Sequence, residues 1–154
     1  MSKLELRIPP VLLFLLFAAL MWLAAWVPLD HLLPEVLRTI LTVGLTVTGL
    51  AVIGAGVAAF VAAKTTVDPT RPDQSSSLVT NGIYKFTRNP MYLGLLCLLV
   101  AWAIHVSSPL SLLVAMAFVP YMNRFQIRPE ERSLEKLFGE QYVEYKNRVR
   151  RWLV

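Results

Sequence analysis

Four apolar runs, at 8–27, 39–63, 91–106 and 110–125, leave this chain few ways to fold. Lipid offers an exposed backbone no hydrogen-bond partner, so runs of this kind cross a bilayer as helices that satisfy their own backbone groups. Hydrophobic residues make up 56% of the 154-residue chain. That exceeds the usual level for a soluble domain, and the excess is concentrated in the runs. The expected fold is all-α: one polytopic membrane domain over 1–154 with about four transmembrane helices. A cytosolic linker (64–90) and an amphipathic cytosolic C-terminal segment (126–154) complete it.

Lys3 and Arg7 before the first run also fit a signal peptide. Its apolar core, however, exceeds the usual length of about 7–15 residues, and no small-x-small cleavage site follows. A retained helix is therefore expected. The second run carries Gly44, Gly49, Gly54 and Gly56. Gly44 with Thr48 and Val52, or Gly49 with Ile53, places small residues on one helical face for close packing. The third and fourth runs form a short hairpin turned over by Ser107-Ser108-Pro109, with Pro120 inside the returning helix. A helix of about 16 residues reaches only about 24 Å, less than the usual hydrocarbon thickness.

Basic residues set the orientation. Lys3, Arg7, Lys64, Arg71, Lys85, Arg88, Arg124, Arg128 and the basic C-terminus fall on one side, against Arg38, Asp30 and Glu35 on the other. The positive-inside rule places both termini in the cytoplasm, as for a bacterial inner-membrane protein. The net charge of +5 is spread along the flanks of apolar runs, which favours anionic lipid over nucleic acid as a partner. Arg148, Arg150, Arg151 and Trp152 read as an interfacial anchor. The lone Cys97 supports neither a disulfide framework nor a cysteine metal site. His31 and His105 lack a second ligand at metal spacing, so no metal is expected.

The linker, with Pro69, Pro72 and Ser75-Ser76-Ser77, reads as a flexible tether or, from Leu78 to Tyr84, as a structured approach to the hairpin. In the C-terminal segment, Leu134, Leu137, Phe138, Tyr142, Tyr145 and Val149 make one apolar face, with Gly139 interrupting. Pro129 suits a helix start, and Glu130 and Glu131 suit the first turn, where the dipole favours acids.

The hairpin concentrates charge at one end, because Arg88 opens its first helix and Arg128-Pro129-Glu130-Glu131 follows its second. Arginine can clamp a carboxylate or phosphate, glutamate can hold an ammonium, and a tyrosine ring can face a cation. No serine–histidine–aspartate set is visible, so hydrolysis by that route lacks support.

The run Leu78-Val79-Thr80-Asn81-Gly82-Ile83-Tyr84, followed by Arg88-Asn89-Pro90-Met91-Tyr92-Leu93-Gly94, resembles the isoprenylcysteine carboxyl methyltransferase family. So does Glu130-Glu131-Arg132-Ser133-Leu134 followed by Phe138-Gly139-Glu140-Gln141-Tyr142-Val143-Glu144-Tyr145. The likeness runs from Leu78 to about Val149. It implies an integral membrane methyltransferase that uses S-adenosylmethionine, bound on the cytosolic side and closed over by the C-terminal segment. By position, Leu78, Val79, Tyr84, Asn89, Pro90, Met91, Tyr92 and Glu130 would contact the cofactor, with Glu131 a close alternative to Glu130. Arg124 or Arg128 would hold the acceptor's anionic group, and Glu131 would serve as base for a neutral amine. The acceptor would be a lipophilic small molecule such as an isoprenoid or other lipid carboxylate.

Asn89 stands where the family usually has histidine, and Ser76 where its eukaryotic members often have another. Asparagine keeps hydrogen bonding but cannot titrate near neutrality. Phospholipid amine methylation, NADPH-dependent reduction and a non-catalytic membrane scaffold are the competing readings.

Overall fold

The structure, a computed structural model, describes residues 5–25, 33–65 and 75–153. Lys3, the end of the first apolar run at Trp26 and Val27, Asp30, His31, Pro69, Arg71 and Pro72 lie outside the described residues. Among the described residues six α-helices appear in order: α1 (Pro10–Ala24), α2 (Glu35–Ala62), α3 (Pro90–His105), α4 (Pro109–Met122), α5 (Arg128–Phe138) and α6 (Glu140–Arg148). A 3-10 turn (Gly82–Lys85) precedes α3, and a π turn (Asn123–Ile127) joins α4 to α5. No strand is present among the described residues.

Proline defines most helix starts. Pro10, Pro90 and Pro109 stand at first helical positions, where a missing N–H costs nothing and the fixed φ favours the helix. At the hairpin turn Ser107 takes a positive φ of 52°, and the Ser108 hydroxyl accepts from the Ser111 N–H at 3.2 Å. The Ser111 hydroxyl then donates to the Met21 carbonyl at 2.7 Å, tying α1 to α4 where both are buried.

Among the described residues, two helices are long and apolar enough to cross a membrane: α2, with 28 residues, and the continuous helical stretch from Pro109 to Phe138, with 30. The apolar part of the latter ends at Phe125, so the acidic start of α5 lies beyond it. α1 and α3 are apolar but shorter, with 15 and 16 residues. The exposed surface is strongly apolar: Leu12, Leu16 and Leu23 on α1, Ile40, Val43, Val47 and Leu50 on α2, Leu113 and Met116 on α4. A belt of that extent is stable against lipid and not against water.

The buried core joins Leu13, Phe17 and Met21 to Leu95, Leu99 and Ala103 of α3 and to Ala115, Phe118 and Met122 of α4. Phe17 meets Phe118 edge-on at 5.5 Å. α2 rests mainly on α3, and the two backbones touch at a pair of glycines. A Cβ on Gly94 would lie 2.6 Å from the Gly49 carbonyl oxygen, and one on Gly49 would lie 2.9 Å from that of Gly94. Of the small residues expected to pack, Gly49 and Ile53 do so, whereas Gly44 and Gly54 face open space.

Gly94→Ala is accordingly expected to force α2 away from α3, at the cost of about 1–3 kcal/mol typical of overpacking. Gly44→Ala and Gly54→Ala should leave stability unchanged. Thermal melts of the three variants in detergent check this, and an unperturbed Gly94→Ala would refute the close crossing.

Candidate active site

Both motif segments converge at the base of the hairpin. After α2, Ser77 donates to the Ala63 carbonyl at 3.3 Å and the Ser76 N–H to the Thr65 hydroxyl at 3.0 Å. This seats the end of the linker on α2 and carries Leu78 and Val79 inward. Gly82, at φ 60°, opens the 3-10 turn that buries Tyr84. Tyr84 then packs edge-on against Phe60 of α2 at 5.5 Å, and its carbonyl accepts from the Tyr145 hydroxyl at 2.8 Å. The turn is thus clamped between α2 and α6.

From α5 and α6 come Leu134 and Phe138, then the buried Tyr142, Tyr145 and Val149. Gly139, at φ 54°, separates the two helices as expected. Leu137 departs from the expected apolar face: it is 44% exposed, because Leu134 and Phe138, four residues apart, define the inward side.

The acids and arginines meet across the hairpin base. Tyr92, near the start of α3, donates its hydroxyl to Glu130 Oε2 at 2.9 Å, and Gln126 Nε2 reaches the same hydroxyl at 3.5 Å. Glu131 lies 3.1 Å from Arg88 Nη2 and accepts two bonds from Arg151, Nε at 2.8 Å and Nη2 at 2.6 Å. The Arg88 side chain is only 10% exposed, yet its Nε and Nη1 find no hydrogen-bond partner among the described residues. Buried guanidinium donors left in that state are costly unless a ligand takes them.

These groups line a cleft of about 770 Å³, open mouth included. The wall consists of Phe60, Ser75, Ser77, Leu78, Val79, Tyr84, Arg88, Asn89, Met91, Tyr92, Ile127, Glu130, Glu131, Leu134, Tyr142 and Tyr145.

Burial pushes the Glu130 carboxyl up to about 7; the Tyr92 hydrogen bond opposes this, and Glu131 adds to it. Burial likewise drives the Tyr84, Tyr142 and Tyr145 hydroxyls well above their ordinary value, so all three are neutral. Hydrogen bonding to Glu131 raises Arg151.

Of the expected cofactor residues, Leu78, Val79, Tyr84, Asn89, Met91, Tyr92 and Glu130 line the cleft, as does Glu131. Pro90 is buried and does not line it; a Cβ on Gly56 would meet its ring at 3.3 Å, so it shapes the α2–α3 contact. Arg124 and Arg128 are exposed and outside the lining. They share an outward face, while the π turn carries Gln126 and Ile127 inward, with Glu130 and Glu131 one turn later on the same side. Glu131, the expected base, has both oxygens occupied by arginines, which leaves Glu130 the carboxylate with lone pairs to spare. The expected interfacial anchor is also corrected in part: Arg151 pairs with Glu131, and Trp152 Nε1 donates to Asn123 Oδ1 at 3.1 Å.

Sequence reasoning missed Phe60, Gln126 and the role of Arg151. Gln126 lies in a π turn, for which periodicity gives no sign, and the Arg151 contact joins residues 20 apart.

The family model for phospholipid methyltransferases matches residues 37–141. An uncharacterized protein of Haemophilus influenzae is 46% identical over 63 residues, 41% of this chain and all of that one. Protein-S-isoprenylcysteine O-methyltransferase B of Arabidopsis thaliana is 39% identical over 82 residues, 51% of this chain and 40% of that protein. Methanethiol S-methyltransferase 1 of Bradyrhizobium diazoefficiens is 42% identical over 67 residues, 44% of this chain and 22% of that protein. The match thus spans less than half the length of either named methyltransferase. No solved structure matches the chain. With a family match running from α2 into α6, across the helices that build the cleft, the chain belongs to the phospholipid methyltransferase family, and its motif likeness to the isoprenylcysteine methyltransferases stands.

Proposed function

We propose that this protein catalyses methyl transfer from S-adenosylmethionine to a lipophilic acceptor at the cytosolic face of a bacterial inner membrane, with four membrane-crossing helices and both termini in the cytoplasm. The observation that carries this reading is the cleft's pairing of a buried arginine, Arg88, whose Nε and Nη1 have no partner among the described residues, with a desolvated acid, Glu130, between aromatic walls. A ligand carrying both a carboxylate and positive charge complements that pair. Bound there, the cofactor would supply an electrophilic methyl group on a sulfonium.

The chain's own groups do the rest. Arg88 Nε and Nη1 take a carboxylate through charge-assisted bonds. Glu130, held by Tyr92, faces the positive end, and the rings of Tyr84, Tyr92 and Tyr142 favour a cation nearby. Leu78, Val79, Ile127 and Leu134 keep water out. Positioning of this kind can supply about 7–11 kcal/mol of the barrier without acid–base help when the acceptor is already ionised.

A second acceptor class, a neutral amine or thiol, is favoured by one observation. Arg88 is the single cation lining the cleft among the described residues, so an anionic acceptor finds no second one inside. A neutral acceptor sheds a proton on methylation, which would leave to solvent through the open mouth of the cleft. A thiol acceptor would match the methanethiol methyltransferase relative.

Calorimetry on detergent-solubilised protein tests the main reading. S-adenosylhomocysteine should bind and NADPH should not; NADPH binding in its place would sink it. Affinity should rise with pH between about 6 and 8 as Glu130 ionises beside the ligand's ammonium. Apo-protein stability should move the other way. Glu130 has a folded value near 7 against an ordinary 4.5, so the folded state holds the extra proton in that window. Its contribution falls as pH rises from about 4.5 to about 7 and is flat beyond. Methyl-labelled cofactor incubated with lipid extracts or simple alkanethiols then separates the acceptor classes.

A further inference from the structure

The residues after α6 do not trail into solvent. Val149 is extended, and the chain then runs back along 87–89. The Arg88 N–H donates to the Arg150 carbonyl at 2.9 Å. The Thr87 hydroxyl and Asn89 Nδ2 both donate to the Arg151 carbonyl, at 2.9 and 3.0 Å. Thr87 is itself almost fully buried and accepts from the Asn89 N–H at 3.2 Å. Arg151 is therefore held by its backbone next to the motif that opens α3, while its guanidinium reaches the Glu131 carboxylate with two parallel bonds. It does not line the cleft.

We infer that Arg151 is a positioning residue: it occupies Glu131 so that Arg88 stays available to an anionic group in the cleft. A carboxylate can chelate one guanidinium fully, and the Arg151 fork takes both oxygens. Arg88 is left with one contact to Glu131, through Nη2, and with Nε and Nη1 open. Without Arg151, Glu131 is free to turn onto Arg88, occupying its donors and cancelling its charge. The arrangement also accounts for Asn89, whose amide anchors the Arg151 carbonyl and needs no titratable ring. The anion concerned is a carboxylate, such as the amino-acid end of the proposed cofactor, and the inference rests on that proposed function.

The test compares two ligands on the full-length protein: S-adenosylhomocysteine, and 5′-methylthioadenosine, which keeps the nucleoside and thioether but has no carboxylate. Arg151→Met should weaken S-adenosylhomocysteine binding about 10- to 100-fold, the loss expected for a charge-assisted hydrogen bond, with 5′-methylthioadenosine unchanged. Arg151→Lys, a point charge without a fork, should fall between. Thermal melts of the apo protein report folding, and if the methionine variant does not fold, the lysine variant carries the comparison. Equal loss of both ligands would make Arg151 a scaffold residue only and overturn the assignment, as would unchanged S-adenosylhomocysteine binding. Wild-type protein that binds neither ligand overturns the methyltransferase reading itself, and Arg151's role with it.

Discussion

Arg88→Met is expected to abolish binding of S-adenosylhomocysteine while leaving the protein folded. Among the described residues, the substitution removes the one cation that lines the cleft, and with it two donors that have no protein partner there. Charge-assisted hydrogen bonds contribute about 1.5–3 kcal/mol each, so two of them correspond to a loss of about 100-fold or more. Stability suffers less than this residue's burial would imply. Stripping a buried carboxylate of its sole partner costs about 3–5 kcal/mol, but Glu131 keeps both bonds to Arg151. The backbone bond from residue 88 to Arg150 does not involve the side chain. Calorimetry and a thermal melt on the same preparation check the two halves, and binding within threefold of wild type would remove Arg88 from the ligand site.

Glu130→Gln should separate function from stability in the opposite sense. Glutamine still accepts the Tyr92 hydrogen bond but carries no charge, so affinity for a ligand with an ammonium should fall about 10- to 100-fold. The apo protein should be at least as stable as wild type at pH 8. There the wild-type carboxylate is ionised against the pull of burial that raises it to about 7, and the amide avoids that penalty. The pH dependence of affinity between about 6 and 8 should vanish in the same variant. A destabilised Glu130→Gln protein with unaltered affinity would instead mark Glu130 as a structural acid. Such a trade of stability for an available charge is common where a site must hold a ligand.

The parts of the site legible in the sequence are those set by local chemistry. The Arg88-to-Gly94 motif, the paired acids and the two C-terminal tyrosines stand in order along the chain, and the cleft gathers residues from each. The hairpin brings them together because two short apolar helices joined by a tight turn must return to the same end. Helix starts were equally legible, since proline fixes φ locally.

Other features depend on partners distant in sequence or on departures from helical periodicity. The π turn at Asn123–Ile127 changes which side chains face inward, so Arg124 and Arg128 point out although their spacing from Glu131 puts all three on one face of a regular α-helix. Which glutamate is free depends on Arg151, which reaches Glu131 only after the chain has passed through α6 and doubled back. Which glycines matter depends on where α3 crosses α2: Gly49 meets Gly94, while Gly44, one and a half turns away, meets nothing.

The sequence by itself therefore determined the helical, lipid-facing character of the chain and the types of group at one end of its hairpin, because hydrophobic run length, proline and charge act within a few residues. Only the tertiary structure decided that Glu131 is bound by two arginines, that Glu130 is left for a ligand, and that Arg88 keeps two donors in reserve. Those outcomes turn on ångström-scale contacts between segments distant along the chain, which no local propensity encodes.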